Sequence, residues 1–435
     1  MTEAFLHHLW KFLKFEEATS AVGLFTTSGE SLQILKPGVH NQLAGPDFFN
    51  AQIRINGQLW AGNVEIHLKS SDWYVHNHET DASYANVILH IVWEDDCEIF
   101  DKSNQPIPTL ELKNRVNPLM LSTYENLLGR KQSRFVNCEI DFGLIPEVVL
   151  EPWLERIYIE RLERKVSEVE MQLDILNGDW EAVLFLSLAR SFGTQINAAS
   201  FEELAKSISF TVIRKLSGSP GLLEAVLLGV AGLLPIETIE TLPLKWKQDF
   251  EFAKAKFNIP EGINHQMQFF KLRPPNFPTI RISQLANLYE QSTTLFEMCM
   301  QISERTDFHK LFDIKASSYW ESHYTFGKVH SPKAKKLTAG FIDILLINAI
   351  IPVKFAYARY RGLDVEDIVL NLLTQIPAEQ NTLISGFEKL RKFRSDALHS
   401  QSLLQLKKNY CDLNKCLNCQ IGNFLLRPAY ARTTQ

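Results

Sequence analysis

Cysteine is scarce in this chain: six in 435 residues, too few for a disulfide scaffold. A reducing, cytoplasmic location is therefore expected. No apolar run reaches the roughly 18 residues that a bilayer span requires. The longest, Gly221 to Leu234 and Phe341 to Val353, carry Glu224 and Asp343 and read as buried core helices. Thr2, Glu3, His7 and His8 interrupt the first residues early, so no signal peptide and no membrane partner is expected. The sequence also lacks a phosphate-cradling glycine-rich loop, a G-x-S-x-G elbow and a paired Cys–His nucleophile. Nucleotide-binding loops and serine or cysteine hydrolases are thereby disfavoured.

What is present is the composition of a globular protein, 45% hydrophobic and 22% charged. The length exceeds one typical core, so two or three domains are expected. The net charge of −5 hides an asymmetry. From His265 onward there are 22 Lys+Arg against 14 Asp+Glu, and before it 23 against 36. The basic residues cluster at Lys271/Arg273/Arg281, at Lys333/Lys335/Lys336 and at Lys389/Arg391/Lys392/Arg394. Such clusters either pair with the acidic half or bind an anionic polymer such as nucleic acid.

The texture predicts an α+β chain. Residues 1 to about 20 read as a helix with Phe5, Leu6, Trp10, Phe12, Leu13 and Phe15 as its apolar set. Residues 24 to about 113 read as strands in a mixed sheet. Phe48 to Ile55 and Leu59 to Lys69 flank Asn56-Gly57, a strong hairpin signal. Val87 to Trp93 is a near-continuous apolar run, as in a strand covered on both faces. Glu98 to Phe100 and Thr109 to Leu112 suggest further short strands. After about residue 118 the period becomes helical. One helix is opened by Glu151-Pro152, and another, Trp180 to Phe192, is capped by Asp179. This gives an α/β domain over 1–118 and a mostly helical region over 119–435, with a cysteine-rich segment at 399–422.

The most informative strand is 64–69. Glu65, His67 and Lys69 share one face, and Val64, Ile66 and Leu68 the other. A carboxylate, an imidazole and an ammonium in a row suit a divalent metal and an attacking water. Asp47, at the start of the partner strand, is the nearest acid. A simple two-residue turn pairs Ile53 with Trp60, Ala51 with Gly62, Phe49 with Val64 and Asp47 with Ile66. That register turns Asp47 away from Glu65, so a joint site requires a bulge, for which Gly62 is the obvious place. A purely structural polar face is the alternative.

Two further clusters are metal candidates. His76-x-His78, with His67 and His90, has the character of a cupin-like transition-metal site; exposed loop histidines are the other reading. Cys411, Cys416 and Cys419 suit a structural Zn²⁺ ion or an Fe–S cluster. His399 is the nearest fourth donor in sequence, and Cys138 a distant one.

Gly38-x-x-Asn41-x-x-x-Gly45-Pro46-Asp47-Phe48, Trp60-x-Gly62-Asn63-Val64-Glu65-Ile66-His67, Ser70-Ser71-Asp72-Trp73, His76-x-His78, Asp81-x-x-Tyr84 and Val87-Ile88-Leu89-His90 resemble an uncharacterised bacterial family, a domain of unknown function. The resemblance runs nearly full length, through Arg273-Pro274-x-Asn276-Phe277-Pro278-x-x-Arg281 to Cys416-x-x-Cys419-x-Ile421-Gly422. The N-terminal part is more weakly similar to the PD-(D/E)XK nuclease superfamily. That similarity implies a restriction-endonuclease-like fold, Asp47 and Glu65 as Mg²⁺ ligands, and His67 or Lys69 beside the attacking water. His67 stands where the superfamily has Lys. It also implies a nucleic-acid substrate, for which Arg273 and Arg281 are candidate phosphate contacts. Two readings therefore stand: a metal-dependent phosphodiester nuclease and a non-catalytic scaffold or binding protein.

Overall fold

The structure is a computed structural model and describes residues 1–15, 23–41, 43–128 and 134–427. The chain divides into two compact units, one of residues 1–154, 382–392 and 403–435, the other of 155–381 and 393–402.

The first unit contains the mixed sheet. Its strands are β1 (Leu24–Phe25), β2 (Ser31–Lys36), β3 (Val39–His40), β4 (Phe48–Ile55), β5 (Gln58–Lys69), β6 (Val87–Glu94) and β7 (Thr109–Glu111). The order is β1-β2-β4-β5-β6-β7, with β3 beside β4. Pairing is antiparallel from β1 to β5 and parallel from β5 through β7. β6 is an interior strand, as its apolar run requires: Leu89, Ile91 and Val92 are fully buried. Residues 98–100 contribute only an isolated bridge between Phe100 and Pro106.

Helix α1 (Glu3–Lys11) packs on β5 through a buried set that includes Phe5, Leu6, Leu9 and Trp10. It is shorter than the apolar pattern suggests. Phe12 is exposed, Leu13 takes a left-handed φ of 49°, and 16–20 lie outside the described residues.

The β4–β5 hairpin turns at Asn56 and Gly57, both left-handed, as a type I′ turn demands. Ile53 pairs Trp60 and Ala51 pairs Gly62, as expected. Beyond them the register shifts, and Phe48 rather than Phe49 pairs Val64. Phe49 and Asn50 together face Asn63, which is a β-bulge in β4 with Asn50 at φ 58°. Gly62 has a different task. A Cβ there would lie 2.4 Å from Ile88 Cγ2 and 2.7 Å from the Asn86 carbonyl, so glycine admits the close approach of the chain entering β6.

The second unit is helical. Trp180–Phe192 is capped by Asp179, whose carboxylate accepts the Ala182 N–H. The preceding helix, Glu147–Ile175, starts before the expected Glu151-Pro152; Pro152 lies inside it, and its residues 147–154 are counted in the first unit. The stretch 339–360 is long and apolar enough to cross a membrane, yet 72% of its most apolar window is buried within the protein. Its Asp343 accepts a bidentate bond from Arg305, which suits a core helix.

Glu224 is buried in this unit and accepts hydrogen bonds from Trp320 Nε1 at 2.6 Å and Ser317 Oγ at 3.0 Å. Burial pushes its carboxyl up to about 7 against those bonds. Its folded value thus exceeds the unfolded one, so the stability it contributes is complete below about pH 4.5 and is lost as pH rises through about 7. Glu224→Gln keeps the shape without the charge. It is expected to change little at acid pH and to raise unfolding free energy by up to about 3 kcal/mol near pH 8. Denaturant unfolding of both proteins at the two pH values checks this; equal pH profiles would count against it.

Candidate metal centre

The bulge at Asn50 builds the site. By moving Phe48 opposite Val64, it sets Asp47 opposite Glu65, on the same face. Two hydrogen bonds tie Asp47 to this stretch of β5. The Asp47 N–H donates to Glu65 Oε2 at 3.1 Å, and the Ile66 N–H donates to Asp47 Oδ2 at 3.0 Å. His7 of α1 brings Nε2 to 3.1 Å from Asp47 Oδ2.

On the Glu65 face of β5 lies His67, and in the turn after α2 (Asp72–Val75) lie His76 and His78. Asn77 between them takes a left-handed φ of 59°, a conformation asparagine tolerates. The His67, His76 and His78 ligand nitrogens all lie within 4.8 Å of one another. His67 Nε2 is 3.1 Å from His76 Nδ1. Glu65 Oε1 is 3.5 Å from His67 Nε2 and 3.4 Å from His78 Nε2. Bonds of about 2.1 Å to a tetrahedral ion place neighbouring donors about 3.4 Å apart. The 3.1 Å between the His67 and His76 donors is close to that edge length.

The surroundings hold these groups in the form a metal needs. His67 Nδ1 is 2.8 Å from Nε2 of His90, a fully buried residue on β6. With His67 Nδ1–H donating there, its Nε2 lone pair faces His76 and His78. Burial lowers the His67 pKa to about 3, helped by His78 and His76, and burial drives His90 well below its ordinary value. Both are neutral imidazoles. Burial is also the main effect on Glu65 and raises its carboxyl; the nearby Asp47 adds to this, while bonds from His78 and the Asp47 N–H oppose it. Tyr84 stacks on His78 at 3.7 Å, and Trp73 meets His78 and His90 edge-on. Burial, with Glu65 and Asp47 near, pushes the Tyr84 hydroxyl up to about 12. Glu65 and His67 are only 5% and 2% exposed, whereas His76 is exposed, so the cluster is reached from the His76 side.

Other expected residues are elsewhere. Lys69 is exposed and stands 3.8 Å from Asp96. Arg281 is buried; its guanidinium bonds Asn276 and Gln284 and stacks on Phe341 at 3.4 Å. It is therefore not at the surface, although Arg273 is. His399 belongs to the second unit, where its Nδ1 lies 2.8 Å from Asp396 Oδ1. Cys411, Cys416 and Cys419 line one small cavity of the first unit, and the fourth sulfur lining it is Cys138. The sequence signal for the histidines was the His-x-His spacing. Nothing local to Cys138 marked it as their partner.

No curated protein and no solved structure matches this chain. The family model described as protein of unknown function (DUF2851) matches residues 3–382, and the chain belongs to that family.

Proposed function

We propose that this protein is a metal-dependent hydrolase of phosphodiester bonds whose ion is a transition metal held by His67, His76 and His78. The observation that carries the reading is the spacing of those three imidazoles beside Glu65 Oε1. Nitrogen donors favour Zn²⁺ or another transition metal over Mg²⁺, which prefers hard oxygens. The donor set thus moves the expectation away from Mg²⁺ and replaces Lys69 with imidazoles. When bound, such an ion lowers the pKa of a water and polarises a phosphoryl oxygen.

The chain's own residues do the rest. Glu65 Oε1, beside two donor nitrogens, takes the proton of the attacking water. Asp47 fixes the Glu65 carboxylate through its N–H and carries His7 toward the same edge. His90 fixes the His67 tautomer. The phosphodiester substrate is favoured by the frame. Pro46-Asp47 lead directly into one strand of a hairpin, Glu65-x-His67 lie on its partner, and a parallel strand follows, as the nuclease resemblance implies.

Labelled single-stranded DNA and RNA and a simple aryl phosphodiester, each with Mn²⁺, Zn²⁺ or Mg²⁺, test this. Cleavage with Mn²⁺ or Zn²⁺, lost on chelation and in Glu65→Gln, is expected. Wild-type protein that retains its metal yet cleaves none of the three would overturn it.

A further inference from the structure

Four of the six cysteines meet in the first unit, away from the histidine cluster. Cys411 ends a π-type turn (Lys407–Cys411), Cys416 opens a 3-10 turn (Cys416–Asn418), and Cys419 directly precedes the helix Gln420–Leu425. Cys138 arrives from a turn far earlier in the chain. All four line one cavity, whose other walls include Leu127, Phe142 and Ile421.

The turn that carries Cys416 and Cys419 is tightly closed. A Cβ on Gly422 would lie 2.1 Å from the Cys416 carbonyl oxygen, so only glycine fits where the helix folds back on the turn. Asn137, next to Cys138, donates to Asn414 Oδ1 at 2.9 Å and to Cys416 Sγ at 3.5 Å, which ties the distant segment to the Cys411–Cys416 loop. Apart from Asn137, Tyr410 and Lys415, the remaining walls of the cavity are apolar. Four soft sulfur donors on one such cavity, brought from two distant segments, form a ligand set for a metal centre.

We propose that Cys138, Cys411, Cys416 and Cys419 are the four ligands of a thiolate metal centre that staples the C-terminal segment to the 134–142 turn. The proposal is independent of the reading of the histidine site. Spacing bears on the metal. A single Zn²⁺ with bonds of about 2.3 Å wants sulfurs roughly 3.8 Å apart. Among the described residues, no three of these sulfurs fall within 4.8 Å of one another. In a four-iron, four-sulfide cluster each thiolate binds its own iron around a larger body, which suits the wider arrangement.

Full-length protein, purified without oxygen or chelator, should be assayed for iron, acid-labile sulfide and zinc, and its visible spectrum recorded. Iron with sulfide and a thiolate-to-iron absorption band identifies a cluster. Zinc that on exchange for Co²⁺ gives a thiolate-to-cobalt band identifies a single ion. Either result is expected to vanish in Cys138→Ser and to survive in His67→Ala and Cys97→Ser. If Cys138→Ser does not fold, thiol counting on the wild type decides, with four thiols reactive only after the metal is stripped. Wild-type protein with neither band, or Cys138→Ser with an unchanged one, would overturn the proposal.

Discussion

Protein purified without chelators is expected to hold about one equivalent of a transition metal at the imidazoles, and His67→Ala is expected to lose it. His67 is the donor held most firmly, because β5 fixes its backbone and His90 its ring. His76 stands in an exposed turn, so His76→Ala should weaken the site less. His90→Phe removes no donor but frees the His67 tautomer, and should lower affinity about 10–100-fold. The stabilities should follow. An ion free at about 1,000 times its Kd adds roughly 4 kcal/mol to the folded state. For a unit of this size that is a rise of about 10 °C in Tm. Scanning calorimetry with and without chelator, on wild type and His67→Ala, reads the difference. A wild-type transition that ignores both metal and chelator would remove the centre.

Much of this frame was legible in the sequence because its causes are local. Val87 to Trp93 is apolar on both faces, and the fold puts a parallel neighbour on each side of β6. Asn56-Gly57 dictates its turn by backbone preference alone, and Asp179 caps its helix by a side chain within three residues. The bulge was less legible. Alternation along β4 and β5 required one somewhere if Asp47 was to join Glu65, and Gly62 was the conspicuous residue. The chain instead places it at Asn50, whose left-handed φ is no more apparent in sequence than that of any other asparagine. Gly62 is explained by a contact with Asn86 and Ile88 that only the tertiary fold reveals.

The site divides along the same line. Glu65 and His67 were visible through strand period, because two residues of separation guarantee a shared face. Lys69 obeyed the same period, but an ammonium on a long stem goes to water, and here it lies near Asp96. His76 and His78 were visible as a pair, but their approach to His67 depends on the turn at Asn77. Arg281 resembled a surface phosphate contact because charge predicts exposure. Its guanidinium instead stacks under Phe341 and finds amide partners inside the helical unit.

Asp47→Asn is expected to keep the metal and lose the reaction. Asp47 is not among the three grouped imidazoles; its connections are to Glu65, to the Ile66 N–H and to His7. The amide still accepts the Ile66 N–H, and its own N–H still bonds Glu65, so folding and metal content should hold. What disappears is the negative charge beside Glu65 and His7. That charge makes Glu65 a stronger base and holds the His7 imidazole at the edge of the site. Loss of one such electrostatic or acid–base contribution costs about 10²-fold or more in rate. The loss should fall on kcat rather than KM, since Asp47 acts on the base and not on bound substrate. Glu65→Gln should lose at least as much. A metal content that falls with the rate in Asp47→Asn would make Asp47 a ligand after all. If the variant keeps both its metal and the full rate, Asp47 has no part in the chemistry. If neither carboxylate matters to any phosphodiester, the imidazoles form a structural centre that locks the turn after β5 to the sheet, and the scaffold reading takes the place of the hydrolase.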